Sequence, residues 1–336
     1  MPDPVAGFGE VTLRIAYNGL CGSDVHEYFE GPTAITTEPH GLTGCSMPCI
    51  LGHEMSGVVV DVGGGVDDLA LGSLVSVEPI ETCGSCPRCR HGLRHLCRHI
   101  AYHGYNRDGG GLADLTVVRR DMVHVVPTGF SARHAALVEP MAVSRRAARR
   151  TKALAGELVA VHGAGPIGLG ILLALRAEGV AAVAIDPSPA RRAAAKALGA
   201  IEVLDPTSDE VVRALRDMSD GLGVAATVDA AGVESAFQTG LRSTRPDGTL
   251  VVVAHHHEPI QLRSGSLIFG EVRVTGSAIY ESDDFAWVIA AMAGGAYQLT
   301  DWVTTIDLDR VVEDGLEPLR AGTTNKVLVT LGGEPA

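Results

Sequence analysis

The chain of 336 residues lacks any apolar run approaching the ~20 residues that a membrane-spanning helix needs, so no transmembrane segment is expected. Its amino terminus, MPDPVAGFGE, has neither the basic start nor the apolar stretch of a secretory signal, and the expected compartment is the cytoplasm. Positive charge is scarce. Against 40 aspartates and glutamates stand 27 lysines and arginines, a formal net charge of −13, and nucleic-acid binding is not expected because phosphates require a clustered basic surface. Internal repeats, low-complexity tracts and Pro/Ser-rich linkers are also missing, so any domain boundary must be a structured crossing. Cysteines number seven, four of them crowded into one short stretch, which suits a reducing compartment better than a disulfide framework.

What is present is globular and turn-rich: 46% hydrophobic residues, 20% charged and 41 glycines, in a chain long enough for two cores. Up to about residue 125 the text alternates in short valine- and glycine-rich segments such as VTLRIAY and SGVVVDVG, divided by turns such as GGGVDD. This half is expected to be irregular β structure with embedded loops. From about Glu157 strand-like and helix-like segments alternate: LVAVHG, a helix from Pro166 to Glu178, AAVAID, a helix through ARRAAAKALGA, then strands at ATVDAAG, TLVVVAH and VRVTGSA. That alternation predicts an α/β domain built on a doubly wound parallel sheet. A helix containing FAWVIAAM and a strand KVLVTL close the chain. Two arginine clusters, Arg88/Arg90/Arg94/Arg98 and Arg145/Arg146/Arg149/Arg150, are expected to be solvated faces or subunit contacts.

Cys83, Cys86, Cys89 and Cys97 form a C-x2-C-x2-C-x7-C run. Short C-x2-C turns bring thiolate pairs together without a long excursion, and four converging thiolates make a closed, structural zinc site; disulfides or an iron–sulfur cluster are the alternatives. Downstream, VAVHGAGPIGLG sets Gly163, Gly165 and Gly168 between an apolar strand and an apolar helix beginning at Pro166 and Ile167. Glycines at those positions allow a tight turn and close approach of a pyrophosphate to a helix N-terminus. The acidic residue expected ~20 positions on is Asp186, a partner for ribose hydroxyls that favours NAD over NADP. Arg191 and Arg192 follow closely enough to engage a 2′-phosphate, so mixed specificity stays open. His255, His256 and His257 read as a polar loop near the nicotinamide end, not as a further metal site.

A second set of zinc-type donors is spread over CGSDVHEY (Cys21), LGHE (His53 and Glu54) and VEPMAV (Glu139). A thiolate, an imidazole and a carboxylate hold zinc while leaving a position open, which distinguishes a catalytic from a closed site. With HGLTG…PCILGHEMSGVVVDVG, the four-cysteine lobe, GAGPIG and FGEVRVTGS, these motifs resemble the zinc-dependent medium-chain alcohol dehydrogenases, most nearly the butanediol and polyol (sorbitol) branch, from about Val5 to the C-terminus.

The resemblance implies a mainly β, GroES-like catalytic domain with a structural zinc lobe over residues 1–142 and 280–336, and a Rossmann dinucleotide-binding domain over 143–279. It implies two zinc ions per chain and NAD, with Cys21, His53 and Glu139 binding the catalytic ion and Glu54 adjacent and able to exchange with its water. Ser23 and His26 would relay the alcohol proton and Asp24 would orient a ligating imidazole. Tyr28, Tyr102, Ile279 and Tyr280 would line a pocket for a small alcohol, diol or ketone, with the butanediol/acetoin group favoured over polyols, sugars and threonine. A homodimer or homotetramer is implied, through residues 265–275. Relatives usually begin with a further β-hairpin, whose absence would leave a sheet edge unpaired. Cys45 and Cys49 are an unusual pair in the loop before LGHE, read as free thiols or as a redox-sensitive pair.

Overall fold

A computed structural model describes residues 3–207, 210–297, 299 and 302–334. The chain divides into two compact units, one of residues 1–139, 281–294 and 299–336, the other of 140–280 and 295–298.

The first unit is organised around β1 (Glu10–Leu20), whose side chains are buried along almost its whole length. One strand serves three partners. It pairs antiparallel with β2 (Glu54–Val62) throughout, with β6 (Leu115–Arg119) over its first half and with β15 (Lys326–Thr330) over its second. β3 (Leu74–Val77), β7 (Val123–Val125) and β14 (Val303–Asp307) complete a seven-stranded sheet in the order β14-β15-β1-β2-β3-β7, with β6 added on β1. Val11, Leu13, Ile15, Met55, Val59, Val75 and Val77 form its core, each contributing about 1.5–3 kcal/mol of apolar burial. The register sets Gly19 opposite Glu54 and Leu20 opposite Val327, so the end of β1, the start of β2 and the start of β15 meet at one corner. After β1, in the half expected to be irregular β structure with embedded loops, comes a helix, α1 (Gly22–Glu30), at whose start Cys21 and Asp24 exchange capping contacts. A small lobe consists of β4 (Ile80–Glu81), α2 (Pro87–Arg90) and β5 (Ala101–Tyr102). The division from the second unit falls between Glu139 and Pro140, inside the helix Val138–Arg150.

The second unit is a six-stranded, fully parallel sheet in the order β10-β9-β8-β11-β12-β13. Its strands are β8 (Leu158–His162), β9 (Ala181–Ile185), β10 (Glu202–Leu204), β11 (Val224–Asp229), β12 (Thr244–Val252) and β13 (Arg273–Gly276). In chain order this is 3-2-1-4-5-6, the doubly wound arrangement whose chain reversal opens a crevice at the carboxyl ends of the central strands. β8, β9 and β11 are nearly continuous apolar runs because helices cover both faces. The crossovers carry Pro166–Ala177, Pro189–Ala197, Val211–Asp217 and Glu234–Ser243. The arginine cluster at 145–150 is only partly solvated, since Arg145 is buried and pairs with Glu178 at 2.7 Å.

Candidate active site

Two groups of metal-type donors converge among the described residues, both in the first unit. In the lobe, the ligand atoms of Cys83, Cys86, Cys89 and Cys97 lie within 4.8 Å of one another. The Cys86–Cys89, Cys86–Cys97 and Cys83–Cys97 sulfur separations are 3.6, 4.0 and 3.5 Å. Four thiolates at ~2.3 Å from a central zinc would stand about 3.8 Å apart, so the cage has the dimension of a tetrahedral ZnS4 site and is far too wide for a disulfide. Backbone N–H groups of Cys83, Cys86 and His99 point at these sulfurs at 3.3–3.4 Å, as thiolates require.

At the corner where β1, β2 and β15 meet, Cys21, His53 and Glu54 offer a sulfur, a nitrogen and a carboxylate oxygen, again within 4.8 Å of one another. Asp24 braces the pair of soft donors. It accepts from the Cys21 backbone N–H at 2.8 Å and faces His53 Nδ1 at 3.5 Å. Nε2 is thereby left toward the donor group, where Ser23 Oγ lies 3.5 Å from it. Burial alone would lower the proton affinity of His53, but the Asp24 carboxylate, followed by Cys21, more than reverses this and holds its pKa well above the usual value. His26 lies on the solvent side of α1, with Nδ1 3.3 Å from Glu30.

The observed trio differs from the expected one in its carboxylate. Glu139, expected as a ligand, is buried but outside the group that closes within 4.8 Å, whereas Glu54 is carried in by its adjacency to His53. Glu139 acts on the same corner by its charge, which, after burial, raises the pKa of Tyr102 and also raises that of Lys326.

Lys326 escaped the sequence reading altogether. It is 2% exposed, its Nζ forms an ion pair with Glu54, and it donates to the Leu20 carbonyl at 2.8 Å. Burial disfavours its ammonium, yet Glu54, Cys21 and Glu139 outweigh that and keep it charged. The one available signal was a lysine opening an otherwise apolar strand, KVLVTL. Of the expected pocket tyrosines, Tyr280 is fully buried and Tyr28 is half exposed. Cys49 donates to the Tyr105 carbonyl at 3.5 Å, and burial, then Cys45, push its thiol pKa up, which opposes reactivity.

In the second unit the three glycines do three different things. Gly163 has φ +92°, and a Cβ there would meet the Ala230 carbonyl at 2.8 Å. At Gly168 a Cβ would stand 1.9 Å from the Gly163 carbonyl oxygen, so the helix packs directly on the turn. A Cβ on Gly165 would meet only open space, at the N-cap of a helix that begins with Pro166 and Ile167. Strand-tight, helix-tight and open is the distribution that a pyrophosphate cradle demands. Asp186 directly follows β9, with its carboxylate fixed by the backbone N–H groups of Ala164 and Ser188, each at 2.8 Å. Arg191 lies 4.0 Å from that carboxylate, while Arg192 is drawn to the Asp186 carbonyl and to Asp205. His256 pairs with Asp229 at 2.8 Å, and the rings of His255 and His257 touch edge-on at 5.4 Å.

Residues 7–128 match the profile of the alcohol dehydrogenase GroES-like domain and residues 166–294 that of the zinc-binding dehydrogenase. The (R,R)-butanediol dehydrogenase of Neisseria gonorrhoeae is 34% identical, over 95% of this chain and 91% of that one. The crystal structure of 2R,3R-butanediol dehydrogenase from Bacillus subtilis superposes with a TM-score of 0.92 at 33% identity, covering 98% of this chain and 94% of that one. A zinc-binding dehydrogenase of Sinorhizobium meliloti 1021, solved bound to NADP, superposes with a TM-score of 0.89 at 28% identity over 98% and 94% of the two chains. With its GroES-like and Rossmann-type domains in sequence and its two donor clusters formed, the chain belongs to the zinc-dependent medium-chain alcohol dehydrogenases, in their butanediol and polyol branch.

Proposed function

We propose that the enzyme oxidises a small secondary alcohol or vicinal diol to the ketone with NAD, and runs the reverse reaction, with 2,3-butanediol and acetoin as the fitting pair. The observation that carries this reading is the Cys21, His53 and Glu54 donor set facing the buried cation Lys326. Zinc held there would supply a Lewis acid that lowers the pKa of a substrate hydroxyl, and NAD held at the glycine turn would supply the hydride acceptor. Cys21, His53 and Glu139 would hold the ion, since Glu54 is already committed to Lys326 and is suited to exchanging with water at the open position.

The protein's own work is orientation and proton traffic. Asp24 holds His53 by its Nδ1 side, which fixes which ring nitrogen is offered to the metal. The Ser23 hydroxyl beside Nε2 would receive the substrate's proton while giving up its own, and His26, exposed on the same helix three residues later, would pass that proton to solvent. Asp186 supports NAD over NADP, because its carboxylate would repel a 2′-phosphate; the NADP-bound relative makes the comparison of both cofactors obligatory. The substrate assignment is supported by the names of the butanediol dehydrogenases to which the chain is similar.

The assay is NADH formation with the 2,3-butanediol stereoisomers, sorbitol and threonine, run beside elemental analysis. Turnover on a diol with about two zinc ions per chain is expected. Preference for sorbitol or threonine would move the enzyme elsewhere in the branch, and one zinc without turnover would reduce the reading to nucleotide binding. His53→Ala is expected to abolish turnover and leave the fold largely intact; activity surviving in zinc-free protein would sink the metal mechanism. We further propose a homodimer or homotetramer formed through the sheet edge at β13, beside which Ile268 and Phe269 are exposed to 64% and 90%; a monomer by sedimentation would refute it.

A further inference from the structure

Within the second unit a cavity of about 420 Å³ opens beside the glycine turn. Asp186 and Arg191 flank it, and much of its remaining wall is apolar, with Ile185, Pro187, Val233 and Ala236 among its residues. His162, the last residue of β8, also lines it. This histidine is 2% exposed, and its Nε2 has no hydrogen-bond partner among the described residues. Its in-register neighbour on the next strand, Asp229, is already engaged: Oδ1 accepts from Ala231 and Gly232 at 3.0 Å, and Oδ2 is paired with His256 at 2.8 Å. A buried polar nitrogen that the fold leaves unsatisfied is costly, and an apolar side chain would serve the wall better unless a ligand completes the bond. Burial holds the ring far below the ordinary histidine pKa, near 4, against the weaker opposing pull of Asp229. It is therefore neutral at physiological pH, with one donor and one acceptor nitrogen.

Where a pyrophosphate sits on the glycine turn and Asp186 takes the ribose hydroxyls, the space beyond Asp186 receives the base of the adenosine half. We propose that His162 is a recognition residue for that half, its imidazole N–H donating a hydrogen bond to an adenosine acceptor, a purine ring nitrogen or a ribose oxygen. This rests on the dinucleotide reading above. It adds to a partly apolar cavity one directional contact, which would fix how the nucleoside lies and hence how the far end of the cofactor is presented.

The test uses the full chain with ADP-ribose and AMP as probes, by calorimetry and by ligand-induced shift of the melting temperature. His162→Leu should bind both about tenfold more weakly, the equivalent of one good hydrogen bond. His162→Gln, which keeps a donor, should recover most of that loss. Without ligand, the leucine variant should melt no lower than the parent, because an unsatisfied polar group has been removed. Leucine and parent proteins binding ADP-ribose equally would overturn the assignment while leaving the dinucleotide reading intact. A leucine variant that melts lower alone and shows the same ligand-induced shift would make His162 purely structural. If the parent itself binds neither probe, it is the dinucleotide reading that fails.

Discussion

Lys326 and Glu54 are each other's compensation. Both are buried, and neither has water to fall back on. Removing one partner of a buried ion pair leaves an uncompensated charge, which costs about 3–5 kcal/mol, whereas removing both is often close to neutral. Lys326→Met should therefore lower stability in urea by that amount, and the Glu54→Gln, Lys326→Met double variant should recover most of it; additive losses would show that the pair is not coupled. The lysine was illegible in the sequence because its meaning comes from β15 pairing with β1, two segments some three hundred positions apart. The four lobe cysteines were legible because their chemistry is carried by residue type and short spacing, whereas Cys21 and His53, distant in sequence, were legible only through the resemblance of their motifs to a known family. A second residue-scale consequence concerns His103, whose Nε2 contacts the Gly109 carbonyl at 2.8 Å and the Thr116 hydroxyl at 2.9 Å. Burial, the largest influence, lowers its pKa to about 4. Between that value and the ~6.5 of an unfolded histidine, only the unfolded chain takes up the proton. Its contribution is thus complete above ~6.5 and is lost as pH falls toward 4, to a total of about 3 kcal/mol. His103→Gln should flatten the pH dependence of the urea midpoint across that window; an unchanged slope would locate the acid sensitivity elsewhere.

At the scale of elements, periodicity served the second unit well and the first unit less well. Helix and strand texture alternates from β8 onward, and right-handed crossovers then leave few possible sheet orders. In the first unit β1 divides its hydrogen bonds among three partners, which no alternation of apolar and polar residues announces. α1 was hidden for a similar reason: its start is marked by a reciprocal contact between Cys21 and Asp24, and cysteine is not a residue from which a cap is ordinarily read. The contact between the Pro166–Ala177 helix and the glycine turn gives a direct test of how tightly one element positions another. A methyl group at position 168 would lie 1.9 Å from the Gly163 carbonyl oxygen, which is backbone and cannot rotate away. Gly168→Ala should push the helix off β8, cost about 1–3 kcal/mol of stability, and weaken NADH binding at the same time. Retained affinity with lowered stability would mean that the turn holds its shape independently of the helix.

The whole molecule separates its two chemistries between its two units. Every residue of both donor clusters comes from the unit of residues 1–139, 281–294 and 299–336, whereas the glycine turn, Asp186 and the cavity lined by His162 belong to the other. Metal binding and nucleotide binding should accordingly fail independently. A strong chelator is expected to abolish turnover, and the site proposed at Cys21, His53 and Glu139, with one position open, should yield its ion before the closed four-cysteine cage does. Zinc release followed by a colorimetric indicator should therefore be biphasic, with activity lost in the first phase. ADP-ribose should bind the zinc-depleted protein with unchanged affinity, because the residues named at its cavity belong to the nucleotide-binding unit. Loss of nucleotide binding in step with the first zinc would show that the ion organises the cofactor site as well as the substrate hydroxyl, and the division of labour between the units would have to be redrawn.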